Sequence, residues 1–372
     1  MIAMSVLSPH PRPVLPEAPH PGTRLDLVLL GPGLVGRRFL VQLQRQQARL
    51  GARGYELRLV ALANSKRMLV DATGLDPLEA AEALAARGEP LDHRALQALA
   101  DDDAPAVLVD CTGAEAVAER YQAYAEAGFH LVGASKLLNA GPLPRYRHLR
   151  ETLAERGLRF HYETNVGAGL PVIGTLRDLL AGGDAVDRIE GILSGSLSFI
   201  FGLLGEGCAF SEAVALARDA GFTEPDPRDD LSGLDVARKA LILHRELGGT
   251  LELADVDVQG ALPAAFDASG DVKTFLHNLK ALDAPFRARA EALRAEGKVL
   301  RFAATITPEG CRVGLLEVDA AHPLHGIKGG ENALSFASEA YNPCPLVVRG
   351  YGAGAMVTAA GVLADVVRLL PH

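Results

Sequence analysis

The chain lacks several features that would fix its class at once. Its four cysteines, Cys111, Cys208, Cys311 and Cys344, lie far apart and form no CxxC pair, which signals neither a structural zinc site nor a disulfide framework. That usage fits a reducing cytoplasm. No Lys/Arg-rich run appears, and the net charge of -9 argues against a nucleic-acid footprint. No stretch approaches the roughly 18 uninterrupted apolar residues of a membrane span. The histidines are scattered without an HExxH pattern, so a metal-dependent hydrolase finds no support. There is no internal repeat. The opening "MIAMSVLSPHPRPVLPEAPHPGTR" lacks a basic stretch followed by an apolar core, and its prolines from Pro9 to Pro21 forbid a continuous helix. Residues 1–23 are expected to form a disordered leader.

What remains is an ordinary globular composition, 48% hydrophobic and 22% charged, over 372 residues. That length suits two domains of about 150 residues each with a cleft between them. From Leu25, short β segments alternate with helical ones, the layout of βαβ units on a parallel sheet. "LDLVLLG" (25–31), "ELRLVALA" (56–63), "AVLVDCT" (106–112), "HLVGA" (130–134) and "RFHYE" (159–163) read as its strands. After "TNVGAGLP" the character changes to a helix from Leu170, a β segment "RIEGILS", several helices, and the alternating stretches "VLRFAATIT" and "CRVGLLEVD". Such alternation predicts an antiparallel sheet with one exposed face. The fold class expected is α/β: a Rossmann-like doubly wound nucleotide-binding domain (24–165 and 340–372) and an α+β domain (166–339). The last strand, Gly-rich turn and helix are expected to return to the first domain.

Between the first strand and helix stands "GPGLVG". Gly31 suits a tight turn, Gly33 a close approach to a pyrophosphate and Gly36 helix-to-strand packing, with Leu34 and Val35 completing the loop at the helix N-terminus. The plainer alternative is a Gly-rich turn without a ligand. At the end of the second strand, where an acid would take the ribose hydroxyls of NAD, the chain offers Asn64, Ser65, Lys66 and Arg67. Ser65 with Lys66 or Arg67 suits a 2'-phosphate, so NADP(H) is favoured over NAD(H). Thr112 and Gly113 sit where a nicotinamide-ribose contact is expected.

The run "TEPDPRDDLSGLDVARK" (223–239) divides in two. Ser232 with Asp235 matches a capping box, and Asp235 with Lys239 an i,i+4 ion pair. Glu224, Asp226, Asp229 and Asp230 repel one another unless a cation completes the cluster, and a substrate ammonium group is a natural candidate. Lys239, with Lys136 of "VGASK", supplies positive charge and a general acid for a new alkoxide, which points to an amino-acid aldehyde or alcohol. A thiolate-dependent semialdehyde dehydrogenase is the rival chemistry. Cys111 would be its nucleophile, but no histidine is adjacent.

"GPGLVG", "LANSK", "DCT", "YETNVGAGLPV", "GILSGSLSFIFG", "GFTEPDPRDDLSGLDVARK" and "RGYGAGAMVTAAGV" follow in an order that resembles the homoserine dehydrogenase family. The likeness runs from about Leu25 to the C-terminus and is nearest the dehydrogenase half of bifunctional aspartokinase-homoserine dehydrogenases. It implies NAD(P)H-dependent interconversion of L-aspartate 4-semialdehyde and L-homoserine, on the route to threonine and methionine. Lys239 then looks like the proton donor, Asp230 its support, Glu224 and Asp235 the substrate's holders, and Gly352 a glycine near the cofactor. Lys136 matches the family's lysine between cofactor and substrate, with Ser135 where the family has asparagine. The resemblance also implies a monovalent cation, Na+ or K+, on main-chain oxygens of Glu163, Val166, Ala168 and Leu170, and a homodimer built from the second domain. Because no regulatory domain follows "VVRLLPH", weak or absent feedback by threonine is expected.

Overall fold

The computed structural model describes residues 22–100 and 104–371, and the leader reading falls outside them except at Gly22 and Thr23. Thr23 already pairs with Tyr55, so it belongs to the first strand.

Two sheets organise the chain. The first has the order β4-β3-β2-β1-β5-β6-β7, with β1 (Thr23–Leu30), β2 (Tyr55–Ala63), β3 (Arg67–Val70), β4 (Glu89–Pro90), β5 (Ala106–Asp110), β6 (Phe129–Gly133) and β7 (Phe160–His161). Strands β2, β1, β5, β6 and β7 are mutually parallel. The reason is visible in β1, where Leu27, Val28 and Leu29 are all fully buried although they point to alternate faces. Only a sheet covered by helices on both sides hides such a run. The doubly wound expectation therefore holds, with one addition: β3 and β4 extend the edge antiparallel. The expected strands at 106–112 and 159–163 are shorter, ending at Asp110 and His161.

The second sheet has the order β13-β12-β8-β10-β11-β9. It comprises β8 (Val186–Ile192), β9 (Asp257–Val258), β10 (Lys298–Thr307), β11 (Gly310–Asp319), β12 (Glu331–Ser338) and β13 (Leu346–Tyr351). All pairs are antiparallel except β11 with β9. One face packs Ile189, Phe302, Ile306 and Phe336 against Phe201, Leu241 and Phe286 of the overlying helices. The other carries Arg188, Glu190 and Ser335.

Strand β13 departs from the expected boundary at residue 340. Its burial alternates and it pairs with β12, the pattern of an antiparallel edge rather than of a parallel strand buried on both faces. Only the C-terminal helix (Ala355–Val367) returns to the first sheet, packing Ala359, Val362 and Val366 with Leu25, Phe39 and Leu40. The helix expected from Leu170 begins at Ile173, because Leu170 precedes Pro171 and that position disfavours the helical region.

The chain thus passes between the sheets twice, at about residues 163–172 and again at 352–354, and the first crossing packs against the start of the helix that follows the second. A Cβ on Gly169 would stand 2.3 Å from the Val357 carbonyl oxygen, and one on Gly361 would stand 2.5 Å from Thr164 Cγ2.

Candidate active site

The glycine loop separates what the fold needs from what a ligand needs. Gly31 has φ +90, and a Cβ there would lie 2.6 Å from Thr112 Cγ2; on Gly36 it would lie 2.2 Å from the Gly31 carbonyl oxygen. Both positions are glycine for internal reasons. A Cβ on Gly33 would meet nothing within 4 Å among the described residues, so its bareness answers to something approaching from outside. The helix that follows (Leu34–Gly51) has no side-chain cap and no acid in its first turn among the described residues. The amides of Leu34, Val35 and Gly36 therefore face forward unpaired by the helix, a ready anion site. The loop fits a dinucleotide pyrophosphate.

Behind the loop, Asp110 is fully buried and accepts the Thr112 N–H at 2.7 Å and the Tyr121 hydroxyl at 2.6 Å. Burial pushes its carboxyl up, against the pull of those bonds. It shapes the "DCT" turn and was not among the expected site residues. Beside it, burial pushes the Cys111 thiol above its ordinary value, the direction that disfavours the thiolate considered for it. At the end of β2, Asn64 Oδ1 accepts the N–H groups of Lys66 and Arg67, both at 2.8 Å, to close the turn into β3. Ser65, Lys66 and Arg67 are all exposed there, and Arg67 also donates to the Ala85 carbonyl at 2.7 Å.

A cavity of about 350 Å³ opens where the sheets meet, lined by Ser194, Gly195, Ser196, Asp230, Asp235 and Lys239 on one side and Tyr351–Gly354 on the other. Lys239 reaches it from the helix Leu234–Glu246; its side chain is 12% exposed, and Nζ donates to the Leu193 carbonyl at 2.6 Å and to Asp235 Oδ2 at 2.8 Å. Lys136, one turn past β6, meets Asp235 Oδ1 at 3.2 Å. One carboxylate thus bridges two ammonium groups from the two halves of the molecule. Burial pushes the Lys239 ammonium below its ordinary value, and Asp235 restores part of the loss. The partial burial of this half-exposed carboxylate would raise Asp235, but Lys239 and Lys136 outweigh it and hold the carboxyl well below the usual range.

The rest of the acidic run is less of a cluster than its sequence suggests. Asp226 caps the short helix Pro227–Leu231 and pairs with Arg228 at 2.5 Å. Asp230 accepts the Ser196 hydroxyl at 2.7 Å and the Glu224 N–H at 2.9 Å, so Glu224 touches the site through its main chain while its side chain is exposed. The capping box does not form. Gly233, with φ 74, is the N-cap, Ser232 Oγ donates to the Asp229 carbonyl, and Asp235 turns to the lysines instead. The Ser194–Ser196 hydroxyl pair, 2.8 Å apart at the start of the helix Gly195–Gly205, was missed; its only sequence signal is an N-cap serine after a strand.

At the expected cation site, the Glu163 carboxylate is already engaged. It accepts the N–H groups of Val172 (2.7 Å), Ile173 (2.6 Å) and Gly174 (2.9 Å), and Arg368 lies at 3.2 Å. Ala168 adopts φ 53, a turn in the left-handed region. Of the four expected carbonyls, that of Glu163 accepts the Val166 N–H at 3.3 Å and that of Leu170 the Val172 N–H at 2.9 Å; main-chain carbonyls are the donor type that suits a hard monovalent cation. No group of three or more His, Cys, Asp and Glu side chains able to hold a metal ion occurs among the described residues.

Comparison with known proteins gives a consistent picture. Residues 171–367 match the family model for homoserine dehydrogenase, and residues 31–163 that for the homoserine dehydrogenase NAD-binding domain. The bifunctional aspartokinase/homoserine dehydrogenase of Haemophilus influenzae is 48% identical over 350 residues, covering 94% of this chain and 43% of that protein. Bifunctional aspartokinase/homoserine dehydrogenase 2 of Zea mays chloroplasts is 40% identical over 356 residues, covering 94% and 39%. The chain spans less than half the length of these curated relatives. Among solved structures, a Candida auris protein of unknown function is 34% identical with a TM-score of 0.86, covering 94% and 98% of the two chains. A hyperthermophilic archaeal homoserine dehydrogenase in complex with NADPH, 23% identical with a TM-score of 0.71 over 93% and 97%, shares the fold.

Proposed function

The chain belongs to the homoserine dehydrogenase family, and on that premise we propose that it interconverts L-aspartate 4-semialdehyde and L-homoserine with a nicotinamide cofactor. The observation that carries the proposal is the Lys136–Asp235–Lys239 bridge, which brings a buried ammonium to the cavity between the sheets. Bound NAD(P)H supplies the hydride. Lys239 supplies the proton to the aldehyde oxygen as it becomes an alkoxide, and takes it back in the reverse direction. Burial lowers its pKa from the ordinary lysine value, the direction that helps a group which must both give and take back a proton. Asp235 favours its charged form, Asp230 supports the chemistry, and Glu224 and Asp235 hold the amino-acid end of the substrate. Lys136 spans cofactor and substrate. The bare Gly33 with the uncapped amides of Leu34, Val35 and Gly36 would hold the pyrophosphate, Thr112 the nicotinamide ribose, and Gly352 would contribute near the cofactor.

NADP(H) is favoured over NAD(H), because Ser65 and Lys66 stand exposed where an acid would repel a 2'-phosphate; the NADPH complex of the archaeal relative agrees with this. We assign the dinucleotide to residues 24–165 with the C-terminal helix, and the chemistry to residues 166–351. A monovalent cation would rest on the carbonyls of Glu163, Val166, Ala168 and Leu170. The polar face of the second sheet, with its cavity of about 680 Å³ lined by Arg188, Glu190 and Ser335, suits the homodimer contact. No helix among the described residues is long and apolar enough to cross a membrane; with free thiols throughout, a cytoplasmic setting is proposed.

The test is oxidation of L-homoserine with NADP+ and NAD+ in parallel. Turnover with a preference for NADP+ supports both reaction and cofactor assignment; none with either, in folded protein, refutes the reaction.

A further inference from the structure

Strand β12 carries a polar residue where its pattern calls for an apolar one. Asn332, Leu334 and Phe336 share a face, and all three are fully buried. Leu334 and Phe336 enter the core of the second sheet. Asn332 stands at the cavity end of that face, two residues after Gly330, which lines the cavity. Neither its Nδ2 nor its Oδ1 has a hydrogen-bond partner among the described residues. A buried carboxamide with both ends unbonded is costly and rare, so a partner belongs there.

The neighbouring geometry points to that partner. The Asn332 side chain lies against Gly352, where a Cβ would come within 2.0 Å of Nδ2. Gly352 belongs to the Tyr351–Gly354 turn, which forms the cavity wall facing Asp230 and Lys239. The turn holds glycine at 352 and at 354, the latter with φ 119, and Tyr351 is 68% exposed, so few side chains lock its backbone. It also joins the strand of one sheet to the helix that packs on the other.

We propose that Asn332 is a positioning residue for this turn, its carboxamide hydrogen-bonding main-chain groups of Tyr351–Gly354 when the turn closes on a bound nicotinamide cofactor. The inference rests on the reading that this cleft takes such a cofactor. It makes Asn332 a store of affinity: the unbonded amide burdens the free protein and is relieved on binding. Gly352 is glycine because the amide occupies the place of a side chain.

Asn332→Leu, with the same branching as Asn but bulkier methyl ends, and Asn332→Ala, which cannot overpack the site, together separate this role from a structural one. In the free protein, removing an unbonded buried amide leaves the Tm unchanged or raised. NADPH affinity, titrated by nicotinamide fluorescence, should fall about tenfold, and the rise in Tm on adding NADPH should shrink accordingly. The proposal is overturned if the free variant melts several degrees lower while NADPH affinity stays within about twofold, because the amide would then serve the free fold through a buried water. Wild-type protein that binds neither NADPH nor NADP+ would instead remove the reading beneath it.

Discussion

Replacing Lys239 with alanine is the sharpest test of the chemistry, because the surroundings of the side chain limit the collateral damage. Asp235 keeps Lys136 at 3.2 Å and its own side chain is 48% exposed, so no buried, unpaired carboxylate is created. The Leu193 carbonyl loses one donor at 2.6 Å, a loss of about 1 kcal/mol. Relief from burying an ammonium offsets part of that, and a shift of 1 kcal/mol moves the Tm of a domain this size by only about 2–4 °C. Catalysis should suffer far more: loss of a general acid lowers kcat by about 10²–10⁴. NADPH affinity should change little, since the glycine loop lies on the other sheet. Steady-state rates in both directions, a thermal melt and an NADPH titration read the three quantities separately. Turnover within tenfold of wild type in folded Lys239→Ala protein would sink the assignment, and Lys239→Met, which keeps the length of the stem, controls for lost packing.

Three further outcomes are expected. Asp235→Asn removes the charge that restores the Lys239 ammonium but leaves burial and Lys136, so the Lys239 pKa falls further. Homoserine oxidation needs the neutral amine and rises with pH through that pKa, so its alkaline-rising limb should move to lower pH; an unmoved limb in a full pH profile contradicts the role. Gly33→Ala should melt like wild type yet bind NADPH at least about tenfold more weakly, whereas Gly36→Ala should lower the Tm itself, since its Cβ would strike the Gly31 carbonyl. Equal Tm values for the two would contradict this division. Burial pushes His130 and His161 down to about 4, with nearby arginines adding to it. The unfolded chain, near 6.5, takes up protons first, so their contribution is complete above pH 6.5 and lost as pH falls toward 4. Asp365, raised to about 6 by burial, acts in the opposite sense over part of that window. His161→Asn should therefore flatten the fall in Tm between pH 6.5 and 4, and a slope as steep as wild type's would count against it.

The legible parts of the sequence were those whose physics is local. Apolar runs bounded by turn residues marked β1, β2 and β6, and the spacing of Gly31, Gly33 and Gly36 marked the cofactor loop. The i,i+4 spacing of Asp235 and Lys239 marked their pair, although not its burial. What escaped depends on distant partners. Strands β3 and β4 are too short to carry a period, and β13 reads as a strand without saying which sheet takes it. Ser232 has the signature of a cap, but Gly233 in the left-handed region passes the chain from one short helix directly into the next. Asp226 looked like part of a substrate cage, yet Arg228 two residues on neutralises it. Ser196 meets Asp230 across 34 residues and Asn332 meets Gly352 across two strands, pairings no local pattern announces.

The two adjoining crossings between the sheets have a mechanical meaning. Had they lain far apart, they would have clamped the halves at two points and fixed the width of the cleft. Because Gly169 and Thr164 of the first crossing rest on Val357 and Gly361 of the helix that follows the second, without room for a methyl group, and Gly350 just before the second lies against Leu170, both connections run past one knuckle. Any opening of the cleft must swing about that spot, and a side chain grafted there would jam the joint while leaving every catalytic group untouched.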